Sequence, residues 1–130
     1  MSRLTKYMRE QELQNRIRVT LSEYGVVFRT NAGKYWQGKR VWCEQFGEYV
    51  LKDIRPVAGL PEGFSDTLFI GQDKVAFIEI KTPRGRVRPA QENFINVMRS
   101  YGHRAGIARS VEDAVRIVTD DKYKEIERKD

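Results

Sequence analysis

The chain has 130 residues, enough for a single domain over 1–130 that would remove roughly two-thirds of the unfolded surface from water. A hydrophobic fraction of 40% beside a charged fraction of 32% fits a water-soluble globular protein, whose helix and strand patterns below read as a mixed α/β domain, and no apolar run approaches the roughly 20 residues of a membrane span. One cysteine, Cys43, and one histidine, His103, exclude an internal disulfide and a zinc site of four nitrogen or sulfur ligands; a net charge of +6 points either to a polyanionic partner, nucleic acid first, or to plain solubility.

The first ten residues lack the apolar core of a secretory signal, so a cytoplasmic location is expected. Residues 9–24 place Leu13, Ile17 and Leu21 at helical spacing among charged neighbours, which predicts an amphipathic helix stopped by Gly25. Residues 26–29 read as a strand. The basic, aromatic stretch Gly33-Lys34-Tyr35-Trp36-Gln37-Gly38-Lys39-Arg40 reads as a mobile loop or hairpin tip between its glycines, and residues 41–46 and 49–54 as short strands. Prolines and glycines across 56–63 mark a connecting loop. It leads into a pair of strands, 67–70 and 75–80. Pro89 is placed to open a helix that turns Phe94, Ile95, Val97 and Met98 inward and ends near Gly102. Residues 105–108 read as a last strand. Ser110, with Asp113 three residues on, is placed to cap a final helix carrying Val111, Val115 and Val118, and the tail from Asp120 reads as a solvated, fraying end.

Chemistry concentrates at the hairpin turned by Gly71-Gln72-Asp73-Lys74. A loop symmetric about Gln72 and Asp73 sets Asp66 directly opposite Glu79, and an odd loop sets it diagonal. Opposed side chains have Cβ atoms about 5 Å apart, so two like charges there destabilise the sheet unless something compensates them. A divalent cation does this naturally, since Mg²⁺ takes one or two carboxylates and completes its shell with water and phosphate oxygens. Lys81, two residues beyond Glu79, projects from the same strand face. The opposite face, with Phe69, Ala76, Ile78 and Ile80, is apolar and expects a helix over it. A Glu-x-Lys on a strand is often no more than a surface ion pair. Here it ends a run apolar on both faces, which argues for burial, where unpaired charges are costly. Lys81, Arg84, Arg86 and Arg88 follow as a basic segment suited to gripping phosphates, and Gln91, in the first turn after Pro89, is placed to donate toward the same site.

Gly63-Phe64-Ser65-Asp66, Phe77-Ile78-Glu79-Ile80-Lys81, Gly85-Arg86 and Gln91 together resemble the virus-type replication-repair nuclease (VRR-NUC) family of the PD-(D/E)XK superfamily. Glu10, Leu13, Gln14, Ile17 and Leu21 fit the same family's first helix. The resemblance implies a restriction-endonuclease-like core, a mixed central sheet flanked by helices. Asp66, Glu79 and the main-chain carbonyl of Ile80 would bind Mg²⁺ or Mn²⁺, with Lys81 as the catalytic lysine and Gln91 beside it. It further implies a carboxylate from the first helix near the metal, Glu10 by its inward face, with Glu12 in reserve. Ser65 stands where the superfamily's name has proline, a position that supplies no metal ligand.

A short chain of this kind is similar to phage enzymes that cut branched DNA in replication, recombination and repair, and likeness to Holliday junction resolvases implies a homodimer whose two-fold axis matches a four-way junction. The DNA contacts expected are Arg84, Arg86 and Arg88, with Lys34, Lys39 and Arg40 from the aromatic stretch; Trp36 either touches DNA or packs against its own hairpin. Two other readings compete: a DNA-binding module without turnover, and a sequence-specific restriction endonuclease on the same core, for which little chain is left over.

Overall fold

The computed structural model describes residues 3–30 and 34–126. Helix α1 (Arg3–Leu21) buries one stripe: Ile17 and Leu21 are fully buried and Leu13 packs against them, whereas Val19, on the outer side, is exposed. The helix ends where the Gly25 N–H bonds to the Leu21 carbonyl. A Cβ at Gly25 would sit 2.5 Å from the Ile70 carbonyl oxygen and 2.8 Å from the Phe69 ring, so only glycine lets the chain pass this close to the sheet.

The central sheet has the order β1-β4-β5-β6, from β1 (Val26–Arg29), β4 (Thr67–Gly71), β5 (Lys74–Ile80) and β6 (Arg104–Ala108). The first three strands are antiparallel, and β6 runs parallel to β5 after the crossover helix α2 (Pro89–Ser100). The symmetric register expected of the β4–β5 turn is the one observed, with Gly71 opposite Lys74 and Thr67 opposite Ile78. On one sheet face Phe69, Ala76, Ile78 and Ile80 are buried under α1 and under α3 (Val111–Thr119), through Ile17, Leu21, Ala114, Ile117 and Val118. Ser110 caps α3 as expected, its hydroxyl accepting from the Asp113 N–H. On the other face Phe64, Phe77 and Phe94 of α2 meet with ring centroids 4.6–5.8 Å apart.

Several expectations need correction. The basic aromatic stretch is not a loop from Lys34 onward: β2 (Lys34–Cys43) and β3 (Glu48–Ala58) form one long antiparallel hairpin, turned at 44–47. The true turn has Gly47 at φ 63, while Gly38 lies inside β2 at a register shift opposite Asp53, whose φ is 55. A glycine in a strand thus marks a bulge rather than a tip. Pro56 also stays in β3, tolerated because an edge strand need not donate on both sides. Nor does this hairpin join the central sheet. Finally, the tail is not frayed over 121–124, which form a 3-10 turn; Arg104 holds it by donating to the Asp120 carbonyl (2.8 Å) and the Asp121 carboxylate (2.5 Å).

Substituting Gly25→Ala is expected to cost about 1–3 kcal/mol, because the added methyl meets backbone that cannot swing aside. Val19→Ala should change stability by no more than about 0.5 kcal/mol. Urea denaturation of both variants checks the pair, and equal midpoints would contradict the close approach of the turn between α1 and β1 to β4.

Candidate active site

Asp66 is fixed by its backbone before its side chain does anything. Gly63, at φ 91, lies so close to the first turn of α2 that a Cβ would come within 2.4 Å of the Ala90 carbonyl oxygen. Phe64 then anchors in the aromatic cluster, and the buried Ser65 hydroxyl donates to the Thr67 carbonyl at 3.2 Å. From the end of β1, the Thr30 hydroxyl donates to the Ser65 carbonyl and the Thr30 N–H to the Asp66 carbonyl.

The register brings Asp66 and Glu79 together. The Asp66 N–H donates to Glu79 Oε2 at 3.0 Å, while the Asp66 carboxylate accepts from Thr67 Oγ1 at 3.0 Å and from the Ile80 N–H at 3.2 Å. Gln91 Nε2 donates to Glu79 Oε1 at 2.8 Å, and Gln91 Oε1 accepts from the Arg88 N–H at the start of α2. Lys81 Nζ lies 3.6 Å from Glu79 Oε1. Gln91 and Lys81 thus stand on the same carboxylate oxygen from two different elements. Asp66 and Glu79 line an open cleft of about 750 Å³ with Thr30, Gly63, Arg88 and Gln91.

Burial sets the electrostatics. Desolvation first, and the Glu79 charge second, push the Asp66 carboxyl up to about 7 from its ordinary 3.8, against the hydrogen bonds from Ile80 and Thr67. Desolvation also raises Glu79, against the Asp66 N–H and Lys81. Two ionised carboxylates here would outnumber the single ammonium beside them, a condition that a hard, oxygen-seeking divalent cation relieves. Among the described residues no third acidic, histidine or cysteine side chain forms a ligand group with them. Helix α1 presents Gln14 and Arg18, rather than Glu10 or Glu12, at the small hollow beside Asp66, Thr67 and Ile80. Glu10 is half-buried one turn before Gln14 on the same side of the helix, and Glu12 is exposed and paired with Arg16 at 2.8 Å.

Of the cations expected at the phosphates, Arg88 lines the cleft, and Arg84 and Arg86 are exposed on the loop leading to it. Arg109 gives that loop its shape, its Nη1 donating to the carbonyls of Thr82 (2.7 Å), Pro83 (3.3 Å) and Gly85 (2.7 Å). Sequence reasoning missed Arg109 and Thr30. Their roles depend on β6 lying beside β5 and β1 beside β4, and neither pairing leaves a local signature. Lys39 and Arg40 lie on the separate hairpin; the side chain of Lys34 lies outside the described residues. Trp36 does not bury itself on its hairpin, being 61% exposed. His103 is exposed in the connection before β6, at the edge of Phe77.

A mixed sheet that ends in a buried carboxylate pair, with a lysine and a basic loop beside it, has the chemistry of a phosphodiester-handling protein. The chain belongs to the VRR-NUC family: the family's domain model matches residues 8–112. Comparisons with curated proteins and with solved structures found no match. A VRR-NUC domain is a nuclease domain, with DNA as its substrate.

The raised Asp66 carboxyl has a consequence for stability. A group whose folded pKa lies above its unfolded value destabilises the fold once it ionises, so the deficit is absent below about pH 4, grows as pH rises and is complete above about 7. In EDTA, Asp66→Asn is therefore expected to melt above the wild type at pH 8, with the gap closing toward pH 4. Thermal melts across that range check it; a wild type more stable than the variant at pH 8 would refute the desolvation argument.

Proposed function

We propose that this nuclease is a metal-dependent, structure-specific endodeoxyribonuclease that hydrolyses phosphodiesters in branched DNA. One observation carries the reading: Asp66 and Glu79 are pressed together in a desolvated pocket, with Gln91 and Lys81 on one oxygen of Glu79. Asp66 and Glu79 would hold Mg²⁺ or Mn²⁺. In a strand the N–H and C=O of a residue share an edge, so the bond from the Ile80 N–H to Asp66 supports the Ile80 carbonyl as a further ligand. When bound, such a cation polarises the phosphate and acidifies a coordinated water.

The protein's own groups do the rest. Glu79 is oriented by the Asp66 N–H and by Gln91, which leaves its carboxylate little rotational freedom. Lys81 sits at the cleft end of β5, within reach of an attacking water or of a phosphate oxygen on which charge develops. Arg88 neutralises a phosphate in the cleft, and Arg84 and Arg86 hold its neighbours through the loop that Arg109 braces. The sheet with helices on both faces, its carboxylates at the open end of β4 and β5, fits a restriction-endonuclease-like core. Branched DNA suits a two-fold homodimer, which presents two such sites to strands of a four-way junction.

End-labelled four-way junction, flap and linear duplex, each with Mg²⁺, Mn²⁺ or EDTA, test the reading. Cleavage is expected on the branched substrates only, lost in EDTA. Asp66→Ala, Glu79→Ala and Lys81→Ala should each lower the rate by at least about two orders of magnitude while DNA binding persists. Wild-type rates in all three variants would dismiss the site, and tight binding by the wild type without product in either metal would indicate a binding module instead.

A further inference from the structure

We propose that the β2–β3 hairpin is a second DNA-contacting element, which stacks its exposed indoles on unpaired bases next to the cleavage cleft. The inference rests on the DNA substrate of the preceding section and adds a second surface to it.

Alternate residues of β2 share a face, so Trp36, Gly38, Arg40 and Trp42 lie together, and the pairing adds Pro56, Leu51 and Tyr49 from β3. Ile54 covers Gly38, where a Cβ would lie 3.0 Å from its side chain. The large apolar side chains of this face are all half exposed or more, from Leu51 at 50% to Trp36 at 61%. An apolar patch of this kind, built of Trp, Tyr and Arg, has the composition of an interaction surface. Arg40 covers the Tyr49 ring, 3.9 Å from its centroid, and Trp42 meets the edge of that ring. The indoles of Trp36 and Trp42 remain open.

Charge selects the occupant. On the opposite face Lys39 stands directly across from Lys52, with Arg55 next in line, and like charges opposed in this way destabilise a hairpin unless an anion answers them. None of the ion pairs among the described residues involves these cations. A second copy laid on the aromatic face would bring its own Arg40 to a patch that already carries one. DNA offers π faces to the indoles and phosphates to the cations.

The hairpin is also continuous with the cleft, since β3 ends at Ala58, which with Gly59 and Leu60 lines the space holding Asp66 and Glu79. Eleven residues of strand extend about 35 Å, close to one turn of duplex. Bases inside a duplex are already stacked, so the indoles find partners only at flaps, gaps or junctions.

Both tryptophans of the chain are in this hairpin, so intrinsic tryptophan emission reports on it alone. The full-length Glu79→Ala variant, with Mg²⁺, is titrated with a flap carrying a single-stranded arm and with a blunt duplex, binding being followed in parallel by anisotropy of labelled DNA. The flap is expected to quench emission and the duplex to leave it nearly unchanged. Adding Trp42→Ala should weaken flap binding about ten-fold, and Trp42→Phe, which keeps a stacking ring, should recover part of the loss. Saturable flap binding with unchanged emission and an unchanged Kd in Trp42→Ala would overturn the proposal while leaving the nuclease reading intact. No saturable binding to either DNA would overturn both. Emission that ignores DNA but shifts with protein concentration, with Trp42→Ala sedimenting as a smaller species, would assign the face to a second copy and overturn the proposal.

Discussion

The antiparallel register of β4 and β5 is the constraint on which the site depends. One residue of slippage would turn Glu79 into the apolar layer and Ile78 or Ile80 into the cleft, because side chains alternate between sheet faces. The two-residue turn at Gln72 and Asp73 sets that register at one end. The burial of Phe69, Ala76, Ile78 and Ile80 under α1 and α3 enforces it along the strands. The carboxylates lie at the far end, just past the last β4–β5 pair, where Asp66 no longer answers β5 through its carbonyl but through its side chain, which accepts from the Ile80 N–H. The ladder and the site therefore share one hydrogen-bonding geometry.

This arrangement stores an electrostatic deficit. Desolvation raises both carboxyls, and the hydrogen bonds from Thr67, Ile80 and the Asp66 N–H, with Lys81, oppose the rise without cancelling it. Those bonds orient the acceptors more than they stabilise their charge. A pocket so built favours whatever brings positive charge into it, and the surrounding cations divide that work. Lys81 stands on Glu79, Arg88 reaches the cleft, and Arg109 spends its donors on the carbonyls of the basic loop. Stability and function pull in opposite directions here, as is usual where like charges are buried together.

The hairpin of β2 and β3 obeys a different logic from the body of the protein. Isolated two-stranded ribbons are marginal in water, and this one leaves its aromatic face uncovered rather than tucking it onto the sheet. Its amphipathic character, indoles on one side and opposed lysines on the other, therefore speaks about what the ribbon meets rather than about what holds it. Its root at the cleft ties that surface to the carboxylate pair.

Periodicity and local chemistry determined much of this in advance. The helical stripe of Leu13, Ile17 and Leu21, the Pro89 start, the Ser110 cap and the symmetric Gln72-Asp73 turn each act within a few residues, and so Asp66, Glu79, Lys81 and Gln91 could be brought together on paper. Gly38 misled because a glycine serves a bulge as readily as a loop, and only cross-strand pairing distinguishes the two. Helical phase puts Glu10 on the same face as Gln14, one turn earlier, but which turn of that face comes beside Asp66 is decided by how α1 packs on the sheet, and the hollow there is lined by Gln14 and Arg18. Arg109, Thr30 and Arg104 likewise act across strand neighbours distant in sequence, where what a side chain meets is decided by tertiary packing and leaves no periodic trace.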